Sequence, residues 1–150
     1  MFVLSEESSA GGPHMIRKAM ATTATVVGLV AVLAVVAGAR LEATGNRLYS
    51  GQQGYAGQSL TSTNGQFILT YQYDGNLVLR GPSGPIAATF TYGVPGVTVM
   101  QTDGNLVVYS GAGVPVWASG TSGNPGAYLE VQNDGRIVIY GASGPVWAAP

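Results

Sequence analysis

Cysteine is absent from the 150 residues, which excludes a thiol nucleophile, a zinc–thiolate centre and any disulfide. Histidine occurs once, at His14, ahead of a segment read below as an export signal. No Ser–His or Cys–His catalytic pair can therefore be assembled in the remainder of the chain. Charge is scarce as well: six Lys and Arg against seven Asp and Glu leave a net charge of −1, with charged residues only 9% of the total. Nucleic-acid binding requires a clustered basic surface, and the sequence has none. Beyond residue 40 no stretch shows a helical apolar period of useful length. What is abundant is glycine, 23 residues, set between short apolar runs. The length is that of one domain.

Residues 1–14 are polar and without period. They are expected to be disordered, or to precede the true start at Met15. Met15-Ile16-Arg17-Lys18 then carries two positive charges, and the uncharged run from Ala19 to Ala39 is rich in Val, Ala and Leu. The run ends in Ala37-Gly38-Ala39, with small residues at both positions of an A-x-A cleavage site. Residues 15–39 thus have the parts of a secretory signal peptide. The same run is long enough to span a bilayer, so a retained membrane anchor is the competing reading. Either way residues 40–150 lie outside the cytoplasm, and cleavage would leave them secreted and free of the membrane.

From about Arg47 onward, apolar runs such as Gln66–Tyr71, Gly96–Met100 and Ala127–Val131 alternate with Gly, Asn, Pro and Ser, which predicts an all-β fold. The pattern is repeated. Gln101, Asp103, Asn105, Val107 and Tyr109 stand at every second position; Gln72, Asp74, Asn76, Val78 and Arg80 precede them by 29 residues (72 to 101). Gln132, Asp134, Arg136, Val138 and Tyr140 follow by 31 (101 to 132). Trailing segments repeat too: Pro85-Ile86-Ala87-Ala88, Pro115-Val116-Trp117-Ala118 and Pro145-Val146-Trp147-Ala148. A period near 30 residues implies one supersecondary unit that buries its apolar face against its neighbours.

Asp-Gly between strand-like runs signals a hairpin. With Asp103-Gly104-Asn105 as a three-residue loop, Thr102 pairs with Leu106, Gln101 with Val107 and Met100 with Val108. Alternation then sends Met100, Leu106 and Val108 to the core and Gln101, Val107 and Tyr109 to the other face. A two-residue loop would scramble both faces, since a one-residue slip inverts the pattern. The same register puts Leu69, Tyr71, Leu77 and Leu79 in the core of the first repeat, and Leu129, Val131, Ile137 and Ile139 in that of the third. Three hairpins, each extended by a further strand pair, make three sheets around one axis, where Trp117 and Trp147 meet; Ala87 stands there in the first repeat. Equivalent positions favour a core role for the tryptophans over that of sugar-stacking platforms.

The outward residues of the second repeat are an amide, a carboxylate, a second amide, an apolar wall and a phenol. They lack the carboxylate pair of glycoside hydrolysis, so no enzyme is expected. They also lack the run of oxygen ligands of a calcium loop, so no metal or other cofactor is expected. Directed donors and acceptors around a small apolar contact suit the hydroxyls and C–H patch of a sugar. A plain turn accounts for Asp103-Gly104-Asn105. It leaves Gln101 and Tyr109, on the same face, unexplained.

On these repeats, on Arg47-Leu48-Tyr49-Ser50-Gly51 and on the two Val-Trp-Ala segments, residues 46–150 resemble the bulb-type (monocot) mannose-binding lectins. The resemblance implies a β-prism II fold, three antiparallel sheets with pseudo-three-fold symmetry, and a secreted, non-catalytic lectin for mannose or mannose-containing glycans. It implies that Gln101 meets the mannose 3-hydroxyl, Asp103 and Asn105 the axial 2-hydroxyl, Tyr109 the 4-hydroxyl and Val107 the ring carbons. Gln72, Asp74, Asn76, Val78 and Arg80 form the first such set; Gln132, Asp134, Val138 and Tyr140 form a degenerate third. The chain departs from the family pattern at Gly75, where the plant proteins usually carry a half-cystine, at Arg80 in place of Tyr and at Arg136 in place of Asn. Arg136 is expected to pair with Asp134 and mask it, so that Arg136→Asn alone would reopen the third site. Shallow sites of this kind need multiplicity, supplied by several sites or a homo-oligomer. Relatives with this fold that kill bacteria or modify taste supply the alternatives: a bacteriocin-like or inhibitor module, or a structural surface protein with vestigial sites.

Overall fold

The computed structural model describes residues 14–15 and 45–150. The expected lead segment, apart from His14, and most of the expected export segment lie outside the described residues. His14–Met15 forms a short strand, β1. Three more short strands come from the lead-in, β2 (Arg47–Leu48), β3 (Gln53–Tyr55) and β4 (Ser59–Thr61). Each repeat then supplies three. They are β5 (Ile68–Tyr71), β6 (Leu77–Gly81) and β7 (Gly84–Ala88); β8 (Pro95–Met100), β9 (Leu106–Ser110) and β10 (Pro115–Ala118); and β11 (Tyr128–Val131), β12 (Ile137–Gly141) and β13 (Gly144–Ala149).

Three antiparallel sheets result, the β-prism II architecture. Their orders are β4-β5-β6-β7, β3-β8-β9-β10 and β2-β11-β12-β13, with β1 lying parallel on the outer edge of β7 through His14–Ala87 and Met15–Ala88. The fourth strand of each sheet is not a second strand pair from its own repeat, as the sequence suggests. It comes from the lead-in, in reverse order: the first lead-in strand joins the last sheet. A six-residue repeat makes this possible. Tyr49-Ser50-Gly51-Gln52 and Tyr55-Ala56-Gly57-Gln58 each fold into a turn, with glycine φ of 82° and 88°. In each, the glutamine Oε1 accepts the tyrosine N–H at 2.8 Å. The backbone thus offers a carbonyl to each sheet in turn: Asn46 to the Val131 amide (2.8 Å), Gln52 to Met100 (3.0 Å) and Gln58 to Tyr71 (3.1 Å).

The hairpin register also differs from the expected one. Met100 pairs with Leu106, Val99 with Val107 and Thr98 with Val108, so the loop is Thr102-Asp103-Gly104, one residue earlier. Gln101 N–H donates to the Asn105 carbonyl (2.9 Å) and Gly104 N–H to that of Gln101 (3.0 Å). The reason is conformational. A three-residue hairpin loop ends in a left-handed residue, and glycine enters that region without steric cost. Gly104 has φ 92°, and Gly75 and Gly135 have 81° and 87°. Because the pairing slides by two, the faces are unchanged.

The core therefore comes out as alternation requires. All eleven residues assigned to it are buried, and Met100, Leu106, Val108, Leu129, Val131, Ile137, Ile139 and Leu79 are essentially inaccessible. Trp117 and Trp147 meet edge to face with ring centroids 5.9 Å apart. The first sheet has Ala87 at that point, and its large aromatic is Tyr71, whose hydroxyl donates to the Tyr109 carbonyl (3.1 Å) and accepts from Gly96 N–H (3.0 Å).

Trp117 is 3% exposed while Trp147 is only partly buried. Trp117→Ala is therefore expected to cost about 3–5 kcal/mol in chemical denaturation, and Trp147→Ala clearly less. Equal losses would mean that the pair, rather than the burial of Trp117, sets the cost.

Candidate functional site

The outer face of each sheet carries the spaced polar residues. Val107 is the floor in the second, buried at 4% although it points away from the core. Its cross-strand neighbours are Val99 and the small Ala118, which leaves a groove beside it. At one end the Gln101 amide Nε2 donates to the Tyr109 hydroxyl at 2.7 Å, which fixes the phenol over that end. Burial pushes the Tyr109 phenol above the ordinary tyrosine range; the Asp103 carboxylate adds to this and the Gln101 hydrogen bond opposes it.

Asp103 and Asn105 are each half engaged. Asp103 Oδ1 accepts the Asn105 N–H (3.0 Å), the ordinary carboxylate turn. Asn105 Oδ1 accepts three hydrogen bonds, from Ser119 Oγ (3.1 Å), Gly120 N–H (3.0 Å) and Thr121 N–H (3.2 Å). Asp103 Oδ2 and Asn105 Nδ2 take part in no hydrogen bond among the described residues, so one acceptor and one two-proton donor remain side by side. The loop is braced from behind: Gly123 and Asn124 N–H groups both donate to the Asp103 carbonyl at 3.0 Å, and Thr121 Oγ1 donates to that of Gly104 at 2.6 Å.

The first repeat copies this framework. Asp74 Oδ1 accepts from Asn76 N–H (3.0 Å), and Asn76 Oδ1 accepts from Thr89 Oγ1 (3.1 Å) and Phe90 N–H (2.8 Å). Thr91 Oγ1 braces the Gly75 carbonyl at 2.7 Å. Val78 again forms the floor, between Thr70 and Ala88. At the far end Gln72 has no phenol to bond, and Arg80 stands exposed.

The third repeat is occupied by its own side chains. Arg136 places Nε 2.8 Å and Nη2 2.7 Å from Asp134 Oδ2, while Asp134 Oδ1 accepts Arg136 N–H (3.1 Å). Hydrogen bonding from Arg136 holds the Asp134 carboxyl below its usual range. Gln132 Nε2 still donates to Tyr140 (2.6 Å), but the Tyr140 ring stacks on Tyr128 at 5.5 Å, with the Arg47 guanidinium 5.1 Å over Tyr128. Val138 remains a buried floor. The structure therefore sets Gln101, Asp103, Asn105, Val107 and Tyr109 along one outer face, and Gln72, Asp74, Asn76, Val78 and Arg80 along a second, where Asn76 is only 2% exposed, more buried than Asn105. In the third, Asp134 stays about half exposed (47%), but its carboxylate is paired with Arg136.

Sequence reasoning missed the hydroxyls that orient the asparagines. Their signal was present: Thr89-Phe90-Thr91 and Ser119-Gly120-Thr121 follow the two repeated Pro-x-x-Ala segments. In the third repeat Ala149 pairs with Ile137 where Ser119 faces Leu106 in the second, and Pro150, which lacks an N–H, follows. Asparagine and hydroxyl are lost together.

No protein-family model matches the chain. A mannose-specific lectin of Narcissus pseudonarcissus is 46% identical over 67 residues, covering 43% of this chain and 60% of that protein. The chain spans about half the length of the curated relatives it matches. Among solved structures, a monomeric monocot mannose-binding lectin from Gastrodia elata is 38% identical with a TM-score of 0.62, over 69% of this chain and 96% of that one. The snowdrop (Galanthus nivalis) mannose-specific agglutinin, in complex with methyl-α-D-mannoside, is 44% identical with a TM-score of 0.59, over 65% and 90%.

The brace gives a stability test. A Cβ on Gly104, at φ 92°, would clash with the Asn124 carbonyl oxygen, whereas one on Gly123, at a similar φ of 93°, meets nothing within 4 Å. Gly123→Ala should cost about 1–2 kcal/mol, the backbone term alone. Gly104→Ala should cost well beyond it, roughly 3 kcal/mol or more in urea unfolding. Similar losses would show that loop 119–126 yields to the methyl group.

Proposed function

The chain belongs to the bulb-type mannose-binding lectin family, and from that premise we propose that it is a non-catalytic lectin for mannose or mannose-containing glycans, acting mainly through the second repeat. One observation carries the reading. Gln101 and Tyr109 are locked together at one end of the Val107 groove, while Asp103 Oδ2 and Asn105 Nδ2 stand uncommitted at the other. A pyranose ring offers what this arrangement lacks: hydroxyls for the free acceptor and donors, and a C–H face for the valine. A donor and an acceptor held together read hydroxyl orientation, so mannose should be preferred to glucose, which differs only at the 2-hydroxyl. The solved snowdrop relative carries a mannoside, which supports the choice.

A shallow groove with few hydrogen bonds gives a Kd of roughly millimolar to high micromolar. Avidity would come from a second site or from oligomers. Titration calorimetry should show mannose binding in preference to glucose and loss of most of the signal in Asp103→Ala. Equal binding of the two sugars would overturn the assignment.

The third repeat tests how the groove is built. Removing Arg136 frees Asp134, but an asparagine at 136 would find no hydroxyl at Ala149 and no N–H at Pro150 to hold its Oδ1. In an Asp74→Ala, Asp103→Ala background, Arg136→Asn with Ala149→Ser should therefore show mannose-induced chemical shifts around Tyr140. Arg136→Asn alone should bind several-fold more weakly, because an amide left free to rotate is not preorganised. Identical behaviour of the two variants would show that the hydroxyl is dispensable.

We also propose that residues 15–39 direct export and that the mature protein begins near Arg40, on the strength of the charged, apolar and small-residue segments. Cleavage there would remove β1 and leave β7 a free edge, like β10 and β13. Mass spectrometry of protein from the culture medium should give that N-terminus. Recovery only from membranes, with 19–39 intact, would identify an anchor instead.

A further inference from the structure

We propose that the first repeat takes a sugar bearing an oxyanion, a carboxylate or a phosphate, with Arg80 and Gln72 as its receptors. The inference rests on reading the sheet faces as sugar sites, and it distinguishes the first from the second.

Three arginines lie among the described residues. Arg47 is bound to Glu130 at 2.6 Å and Arg136 to Asp134. Arg80 alone makes neither an ion pair nor a hydrogen bond among them, and it is exposed. Its cross-strand neighbours are Ile68 and Pro85, which carry no charge to claim it. Gln72 is unclaimed for a related reason. Its counterparts Gln101 and Gln132 give their amide N–H to Tyr109 and Tyr140, whereas Gln72, with no phenol on β6, makes no side-chain hydrogen bond among the described residues. The positions are equivalent to those of the finished amide–phenol pair of the second repeat, so the outer face of the first carries two unpaired donor groups there.

The replacement changes what that end can accept. A phenol both donates and accepts, which suits a neutral hydroxyl. A guanidinium only donates, through a planar fork that matches the two oxygens of a carboxylate or phosphate. Net charge agrees. The second groove holds a lone carboxylate, Asp103, and repels an anion. The first balances Asp74 with Arg80 and sets the positive group at the far end of the Val78 floor. The third is balanced too, but its charges are spent on each other. An anionic sugar therefore has one groove to enter.

The test uses the full domain with Asp103→Ala, which silences the second groove, while Arg136 keeps the third closed. Mannose, mannose 6-phosphate, mannuronic acid and inorganic phosphate are titrated, following the amide shifts of β5, β6 and the Gln72 and Arg80 side chains. Whichever charged sugar carries the recognised group should bind about tenfold more tightly than mannose at low salt. The advantage should shrink several-fold at high ionic strength. The two charged probes tell phosphate from carboxylate. Arg80→Tyr, which restores the residue found at positions 109 and 140 and so should fold, should reverse the order in favour of mannose. The proposal fails if mannose matches both charged sugars, if Arg80→Tyr leaves their advantage intact, or if inorganic phosphate alone matches the sugar phosphate. In each of those cases mannose binding to the second repeat of the unmodified protein would leave the lectin reading standing. No sugar-induced shift at either groove would remove both.

Discussion

Each hairpin must turn in three residues and end with its last loop residue left-handed, a conformation open to glycine at little cost. Gly75, Gly104 and Gly135 meet that demand, and the rest follows from it. The position of the glycine fixes which residues face each other across the hairpin. The register fixes which side chains enter the prism and which line its outer grooves. The absent Cβ then lets the neighbouring segment close in behind: Asn124 on Gly104, Gly93 and Thr91 on Gly75, and Phe67 on Gly135. Thus one residue type at one loop position supplies the turn, the register and the seat for the brace.

That packing bears on the missing disulfide. A Cβ at Gly75 would lie 2.9 Å from the Gly93 carbonyl oxygen, so a cysteine could not stand there unless the loop moved. The loop is fastened by hydrogen bonds instead, Thr91 Oγ1 to the Gly75 carbonyl and Gly93 N–H to that of Asp74 at 2.8 Å. Two hydrogen bonds stand where a covalent tie could, each contributing about 1 kcal/mol net.

The asparagines join framework to groove. The oxygen of Asn105 collects three donors from the segment leading to the next sheet, and its nitrogen is left to the groove. Fold stability and ligand geometry are therefore coupled through one amide, and its loss at Arg136 coincides with loss of the hydroxyl at Ala149. The three faces have diverged by charge: a lone carboxylate in the second, a carboxylate and an unpaired guanidinium in the first, and a closed ion pair in the third. Being exposed, that last pair contributes little to stability; its consequence is occupancy of the groove.

The sequence alone determined the faces. Alternation along a strand is a two-residue property, so Leu69, Met100, Leu129 and their neighbours could be placed in the core, and Gln101, Asp103, Asn105, Val107 and Tyr109 on one outer side, without knowing any partner. An error of two residues in register left those assignments intact. The Asp134–Arg136 pair was legible for the same reason, its members being two positions apart. Only the tertiary structure decided which segment completes each sheet, because β2 reaches β11 across some eighty residues, and neither that backbone pairing nor the Arg47–Glu130 bridge beside it leaves a local pattern in the sequence. It also decided which half of each asparagine is free. Ser119 and Thr121 lie 14 and 16 residues from Asn105, and only the closed fold brings their donors to its oxygen.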